Sequence, residues 1–251
     1  FLLVSSVFGA DFQTGQGAWA VIGQATFGGQ SQVASQTTLG GVGGVAWAGG
    51  KLLVADSNRV GAAPMNNRVM IYDTTKFPVP NSLVNLTSVN SNATNGRCSV
   101  CGFTATNVLG QPDFTHTDIG LTASSMRTPT AVATDGNIVA VADTDNNRVL
   151  LWTTFPTSLN APANIVLGQA DFTSVKAFAG VSAKTLRGPQ GVWIQNGKLF
   201  VADTQNNRVL IWNTIPTQNQ QAADIVLGQK DLNSNVAPDP LQGVPTASAT
   251  Q

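Results

Sequence analysis

Residues 198–212 read KLFVADTQNNRVLIW, and residues 138–152 read IVAVADTDNNRVLLW, so one pattern occurs twice along the chain. In each copy an apolar run ends in Asp, an Asn-rich stretch follows, and Arg opens a second apolar run. Short runs of this kind, separated by residues that tolerate left-handed backbone, are typical of antiparallel strands joined by a turn. The pattern therefore predicts a β-hairpin in each copy.

The hairpin belongs to a longer repeat that closes with Val-Ile/Leu-Gly-Gln. This tetrapeptide occurs four times, ending at Gln24, Gln111, Gln169 and Gln229. The last two intervals are 58 and 60 residues, whereas the first is 87. Asp56 and Arg68 stand 12 residues apart instead of 5, and Arg68 and Gln111 stand 43 apart instead of 21. The long unit is therefore the same repeat carrying insertions of 7 and 22 residues.

Each unit contains four candidate strands joined by turns. In the last unit they cover residues 191–195, 198–202, 208–212 and 224–228. Asn196-Gly197 lies between the first two and is a preferred hairpin turn, because both residues accept a positive φ. Four antiparallel strands per repeat predict the blades of an all-β propeller.

The repeat resembles the NHL repeat. The pattern Pro-x-Gly-Val, then Gly-Lys-Leu-x-Val-Ala-Asp-Thr-x-Asn-Asn-Arg-Val-x-x-Trp, stands at Pro189–Trp212, more loosely at Pro129–Trp152, and with an insertion at Gly43–Tyr72. The resemblance implies a β-propeller of four-stranded blades but no single activity, since the family includes enzymes, RNA binders, protein-binding domains and sensors. The ending at residues 108–114, Val-Leu-Gly-Gln-x-Asp-Phe, resembles a long-repeat subgroup common in bacterial exported proteins.

We expect one propeller domain, or a propeller fragment, over residues 1–251. The predicted repeat units cover residues 39–111, 126–169 and 186–229, with partial-blade strands at 1–24 and 241–249. Pairing of these end strands would close a ring of about four blades. Two alternatives stay open: the chain is part of a longer propeller, or its end strands pair between molecules.

Charge and composition restrict the classes of partner. Lys plus Arg and Asp plus Glu are 13 each, so the net charge is zero, and no residue is Glu. A balanced chain has no overall attraction to nucleic acid. No segment reaches the roughly 18 apolar residues of a membrane helix. We therefore expect no nucleic-acid partner and no membrane span, and the low charge suits a secreted, cell-surface or periplasmic bacterial protein.

Catalytic and metal chemistry have little support in the sequence. The chain holds two Cys and one His, whereas a zinc site needs about four ligands. A Ser-His-Asp triad would have to use His116, and no nucleophile motif accompanies it. Calcium-dependent hydrolases of related propellers typically include a Glu ligand, and no residue of this chain is Glu. We predict no catalytic, cofactor or metal residues, and a propeller hydrolase or lyase is the disfavoured alternative.

Three Asp–Arg pairs recur at one position of the repeat. They are Asp56 with Arg68, Asp143 with Arg148, and Asp203 with Arg208. One interpretation is a ligand or metal rim, and the other is an ion pair that braces the turn between strands. Recurrence favours the structural role, because repeats reuse scaffold residues. Among the aromatic residues, we expect Trp152, Trp212 and Tyr72 to pack between blades. Trp47 and Trp193 lie in first strands, which line the central channel of a propeller, so the alternative for one of them is partial exposure there, and core packing is the favoured interpretation for all five.

The insertion at residues 76–105 is where the first unit departs from its own repeat. It is polar, almost uncharged and interrupted by proline, and specificity on a repetitive scaffold usually lies in such loops. The candidate partner-binding residues are Phe77, Asn81, Asn85, Asn92 and Asn95.

The insertion also carries both cysteines, Cys98 and Cys101. Haem attachment needs His at position 102, which is Gly102. We predict a local disulfide that ties the base of the insertion and indicates an oxidising compartment.

The sequence favours a non-catalytic extracellular or periplasmic scaffold that binds a protein or a glycan. The alternative is a self-assembling subunit of a filament or surface layer, built by strand completion between chains.

Overall fold

The protein is all-β in the part of the chain that its structure, a computed structural model, describes: residues 18, 20–31, 33–57, 65–77, 101–176 and 180–237. These residues form three four-stranded antiparallel sheets and no α-helix. The expected all-β class with four-stranded units is confirmed. The predicted strands at 1–24 and 241–249 lie largely outside the described residues, as does most of the insertion at 76–105.

Each sheet takes its strands in chain order, so every neighbouring pair is consecutive in sequence. Sheet 1 consists of β1 (Val42–Ala48), β2 (Lys51–Asp56), β3 (Arg68–Asp73) and β4 (Asn107–Leu109). Sheet 2 consists of β5 (Pro129–Thr134), β6 (Val139–Asp143), β7 (Arg148–Trp152) and β8 (Ile165–Leu167). Sheet 3 consists of β9 (Gly191–Gln195), β10 (Lys198–Asp203), β11 (Arg208–Trp212) and β12 (Ile225–Leu227).

The turn between the second and third strands explains the Asp-x-x-Asn-Asn-Arg pattern. Asp143 pairs with Arg148 across the ladder, and a short 3-10 turn at Thr144–Asn146 connects them. Asn147 then takes a left-handed backbone with φ 54°, a conformation that Asn tolerates better than most residues. The same arrangement follows Asp203, where Asn207 has φ 52°.

The sheets pack face to face in chain order, and their first strands lie side by side. β1 contacts β5, and β5 contacts β9. Each sheet has two faces. We call the face that is turned toward the preceding sheet the leading face; in sheet 2 it carries Val132 and Trp152. We call the face that is turned toward the following sheet the trailing face; in sheet 2 it carries Ala140 and Leu151. Two buried clusters fill the junctions between sheets 1 and 2 and between sheets 2 and 3.

A third buried cluster covers the outer part of the leading face of sheet 1. Val54, Met70 and Tyr72 are buried there, and Ile22 and Phe103 pack against them. Val21 forms an isolated parallel bridge with Cys101, so this stretch lies against the base of the insertion without forming a full ladder.

The expectation of core packing is wrong for two tryptophans. Trp152, Trp212 and Tyr72 are buried, whereas Trp47 is 65% exposed and Trp193 60% exposed. Trp193 lies on the trailing face of sheet 3 and Trp47 on the leading face of sheet 1. No further sheet covers either face within the described residues, so the two indoles remain in contact with solvent.

Candidate functional site

The three Asp–Arg pairs form fully buried ion pairs. Arg148 Nε donates to Asp143 Oδ2 at 2.7 Å, and neither side chain is exposed to solvent. The equivalent distances are 2.9 Å for Arg68 with Asp56 and 2.7 Å for Arg208 with Asp203, again with no exposure. The residues of each pair lie together in one sheet, and different pairs occupy different sheets. They do not converge on a common site.

The arginine of each pair also binds the loops around its sheet. Arg148 Nη1 donates to the Phe172 carbonyl at 2.6 Å, in the loop after the fourth strand. Its Nη2 donates to the Thr122 and Ser125 carbonyls at 3.0 and 2.9 Å, in the loop before the first strand. Arg208 makes the same contacts with Leu232, Ser182 and Thr185. One guanidinium thus joins the strand hairpin to both loops.

The carboxylate of each pair is surrounded by donors from the protein. Asp143 Oδ1 accepts the Arg127 N–H at 2.7 Å, and Oδ2 accepts the Asn146 amide at 2.9 Å as well as Arg148. Burial raises the pKa of Asp143, while the Arg148 guanidinium and these hydrogen bonds oppose the rise. Because every contact is internal and the group is sealed from solvent, the arrangement stabilises the fold and offers no ligand an entry.

An asparagine links each unit to the next. Asn67 Oδ1 accepts the Thr128 N–H at 2.9 Å, and Asn147 Oδ1 accepts the Gly188 N–H at 2.8 Å. Both donors belong to the following sheet's entry loop. Asn207 holds the same position in sheet 3, but its Oδ1 accepts no hydrogen bond from the described residues. The sequence pattern placed these asparagines in the turn and did not predict the bond between sheets. Their recurrence directly before the arginine was the signal that could have indicated such a bond.

The Gly-Gln-x-Asp-Phe ending folds into a loop that is held by hydrogen bonds within itself and to the preceding strand hairpin. Gln169 Oε1 accepts the Lys176 N–H at 2.9 Å, and its Nε2 donates to the Asn147 carbonyl at 3.0 Å. Asp171 Oδ1 accepts the backbone N–H groups of Thr173 and Ser174, and hydrogen bonding of this kind lowers the pKa of Asp171. Asp171 therefore acts on its own loop, whereas Gln169 joins that loop to the turn that precedes β7.

The described part of the insertion is its base. The rings of Phe77 and Phe103 lie 4.3 Å apart, centroid to centroid, and both pack against the cluster that contains Tyr72. Cys101 is disulfide-bonded, and Cys98 lies outside the described residues. Four further candidates also lie outside them: Asn81, Asn85, Asn92 and Asn95.

A polar cavity of about 290 Å³ lies beside this base. Its lining residues are Gln24, Gly29, Gln30, Ser31 and Gly40. A Cβ added to Gly102 would lie 3.6 Å from the Gln24 carbonyl oxygen, so the insertion base and the cavity are neighbours. The Gln24 side chain is already bonded within this lining, because its Nε2 donates to the Ser31 and Leu39 carbonyls and its Oε1 accepts the Ser31 N–H.

The single histidine lies on the surface and is paired. His116 Nδ1 is 2.8 Å from Asp113 Oδ2, and both side chains are about half exposed. The hydrogen bond that His116 donates to the Asp113 carboxylate raises the pKa of His116. Among the described residues no three His, Cys, Asp or Glu side chains gather where a metal could bind. No helix in that part of the chain has the length and apolarity to cross a membrane.

Comparisons with known proteins give structural similarity only. No protein-family model matches the chain, and no curated protein matches it. The fold is similar to hydrazine synthase of Kuenenia stuttgartiensis, with a TM-score of 0.42 and 12% identity over 79% of this chain. The chain spans 39% of that hydrazine synthase chain. It is also similar to the computationally designed Ika4 protein, with a TM-score of 0.39 and 10% identity over 88% of this chain and 84% of that one.

Proposed function

We propose that this protein is a non-catalytic scaffold of the NHL-like β-propeller type, which binds a protein or a glycan through the insertion in its first sheet. The observation that carries the proposal is the contrast between the sheets. The recurring Asp–Arg pairs are buried in bonds within the scaffold, while among the three sheets sheet 1 alone holds a long additional segment between its third and fourth strands.

Three features support the propeller-type arrangement. The sheets have four antiparallel strands in chain order, their first strands are adjacent, and the junctions between them repeat the same contacts. Radial repetition of four-stranded sheets is how propellers are built.

The described base of the insertion packs against sheet 1. Between β3 and β4 lie 33 residues, whereas 12 lie between β7 and β8 and 12 between β11 and β12. The Phe77–Phe103 contact and the disulfide at Cys101 fix the base beside the polar cavity. Residues 78–100 include a single charged residue, Arg97, so the ligand we propose is neutral and polar. The disulfide also supports export to an oxidising compartment of a bacterial cell.

The test is deletion of residues 81–94 followed by binding to a glycan array and to an array of extracellular proteins. We expect the deletion to abolish binding while the urea unfolding curve stays close to that of the parent. His116→Ala, on an exposed loop away from the insertion, is the control and retains binding. Binding that persists after the deletion, with the fold intact, overturns the proposal.

A further inference from the structure

The fourth strands of the three sheets are buried to different degrees. Leu167 in β8 is 0% exposed, whereas Leu227, at the same position of β12, is 53% exposed. Ile225 is likewise exposed where Ile165 is buried. In sheets 1 and 2 the following unit covers this strand, and no described residue does so for sheet 3.

The trailing face of sheet 3 is a row of apolar side chains that is exposed at its first and fourth strands. Trp193, Ile225 and Leu227 are exposed, whereas Phe200, Ala202 and Val209 are half-buried and Ile211 is buried. The equivalent residues of sheet 2 are all buried in the junction with sheet 3. A contiguous apolar face usually marks an interaction surface.

The opposite end of the array is open at its first strand. Val45 in β1 is 62% exposed, whereas Val132, its equivalent in β5, is 4% exposed. Trp47 lies beside Val45 on the same face. The leading face of sheet 1 thus presents an apolar inner strand with no sheet against it among the described residues.

The outer part of that leading face is covered by a segment that resembles a fourth strand. Residues 21–24 read Val-Ile-Gly-Gln, and residues 226–229, from the end of β12, read Val-Leu-Gly-Gln. Gly23 and Gly228 have nearly the same left-handed backbone, with φ 85° and 86°. Residues 21–24 are therefore a short stand-in for the fourth strand of a preceding sheet.

Residues 21–24 accept the same backbone hydrogen bond that joins neighbouring units at the two later junctions. Gly102 N–H donates to the Val21 carbonyl at 3.2 Å. At the later junctions, Asn160 N–H donates to the Val108 carbonyl at 2.9 Å, and Gln220 N–H to the Val166 carbonyl at 2.8 Å. The three donors share a left-handed backbone, with φ 63°, 50° and 53°. The Val226 carbonyl is the next acceptor in this series, and no donor from the described residues reaches it.

We propose that a second copy of this chain covers the open face by head-to-tail association. The trailing face of sheet 3 packs against the leading face of sheet 1 of the next copy. Leu227 takes the place of Ile22, the Val226 carbonyl accepts the Gly102 N–H of that copy, and residues 20–24 are displaced. The new junction continues the one already present twice within the chain.

The proposed contact joins two different surfaces, so it does not close on itself. Each added copy leaves one trailing and one leading face available, and heterologous contacts of this kind produce rings or filaments. The net charge of zero leaves no overall repulsion between copies. The proposal does not depend on what the insertion binds.

The test measures molar mass by light scattering and sedimentation over a range of concentrations. We expect the parent chain to grow beyond two copies, and Leu227→Asp and Val45→Asp each to remain at 26.0 kDa. Both residues are exposed, so the substitutions leave the circular dichroism spectrum unchanged. Ile119→Asp changes an equally exposed apolar residue in the loop after β4 and serves as the control, with association like that of the parent.

Mixing the two variants gives the decisive result. Val45→Asp keeps an intact trailing face and Leu227→Asp an intact leading face, so a mixture forms a dimer that cannot extend. Ile22→Ser loosens the resident segment and should strengthen association of the otherwise unchanged chain at least threefold. A parent chain that stays monomeric, or a mixture that stays monomeric, overturns the proposal. Deleting residues 81–94 should leave association unchanged. Failure of the association proposal can therefore be distinguished from failure of the proposed binding function.

Discussion

Arg148 Nε lies 2.7 Å from Asp143 Oδ2 in a site with no solvent exposure, and the same guanidinium binds three loop carbonyls. Lys51 and Asp73 form a contrasting pair at 3.1 Å, where the lysine is in contact with solvent. Burial determines the cost of breaking each pair, because an unpaired charge in the interior cannot be stabilised by water.

Arg148→Met should therefore destabilise the protein strongly. Methionine retains most of the apolar volume but leaves Asp143 buried without its cation, at a cost of about 3–5 kcal/mol in the free energy of unfolding. Lys51→Met is the matched control on the surface pair, with an expected cost below about 1 kcal/mol. Urea unfolding at pH 7 measures both, and equal costs would contradict the assignment of the buried pair as a structural brace.

The bond between Asn147 and Gly188 should contribute to stability across the junction of sheets 2 and 3. Asn147→Ala removes the acceptor of a buried N–H, whereas Asn207→Ala removes a side chain of the same backbone conformation that lacks this partner. Both variants lose the left-handed preference of Asn, and Asn207→Ala also loses the 3.4 Å hydrogen bond from Nδ2 to the Asn235 carbonyl, so the difference between them is a lower bound on the contribution of the Asn147–Gly188 bond. We expect Asn147→Ala to cost about 1–3 kcal/mol more than Asn207→Ala.

Hydrogen exchange gives an independent measurement of the same bond. The Gly188 amide should lose protection in Asn147→Ala and keep it in Asn207→Ala. If both variants reduce stability equally and Gly188 remains protected, the side chain does not link the sheets.

Sequence patterns were sufficient to predict the strands, because the repeat gives each strand several independent copies. The segment 208–212 became β11 without change, and the segment 198–202 differs from β10 by one residue. Asp and Arg are paired across the ladder in all three sheets, at the position that their recurrence in the repeat indicated.

The exposure of Trp47 and Trp193 was not predictable in the same way. In an interior sheet both faces of a strand are buried, so an apolar residue on either face fits the pattern equally well. Whether it is covered depends on the neighbouring sheet, which the strand's own residues do not encode. The Asn147–Gly188 bond was missed for the same reason, since it joins residues 41 positions apart in different sheets.

Glycine at position 43 should be required for the close approach of β1 and β5. A Cβ at Gly43 would lie 2.7 Å from the Thr130 carbonyl oxygen, which is backbone and cannot rotate away. Gly43→Ala should therefore push the two strands apart and cost about 1–3 kcal/mol, as overpacking does elsewhere. Gly28→Ala is the control, because no atom lies within 4 Å of its added Cβ and the expected change is within about 0.5 kcal/mol. Comparable losses in the two variants would mean that backbone flexibility, and not contact, explains the result.

The His116–Asp113 pair should make the histidine more basic than usual. Hydrogen bonding and the charge of Asp113 raise the pKa of His116 above the ordinary 6.5, and the charge of Asp118 adds a smaller contribution. Because the folded-state pKa is the higher one, the pair's stabilising contribution is complete below pH 6.5 and is lost as pH rises through the folded pKa. His116 is the chain's one histidine, so its imidazole signal in an NMR titration needs no assignment among others. Asp113→Asn should return the pKa toward 6.5, whereas Asp118→Asn should lower it only slightly. A pKa that Asp113→Asn leaves unchanged would show that the pair does not form in solution.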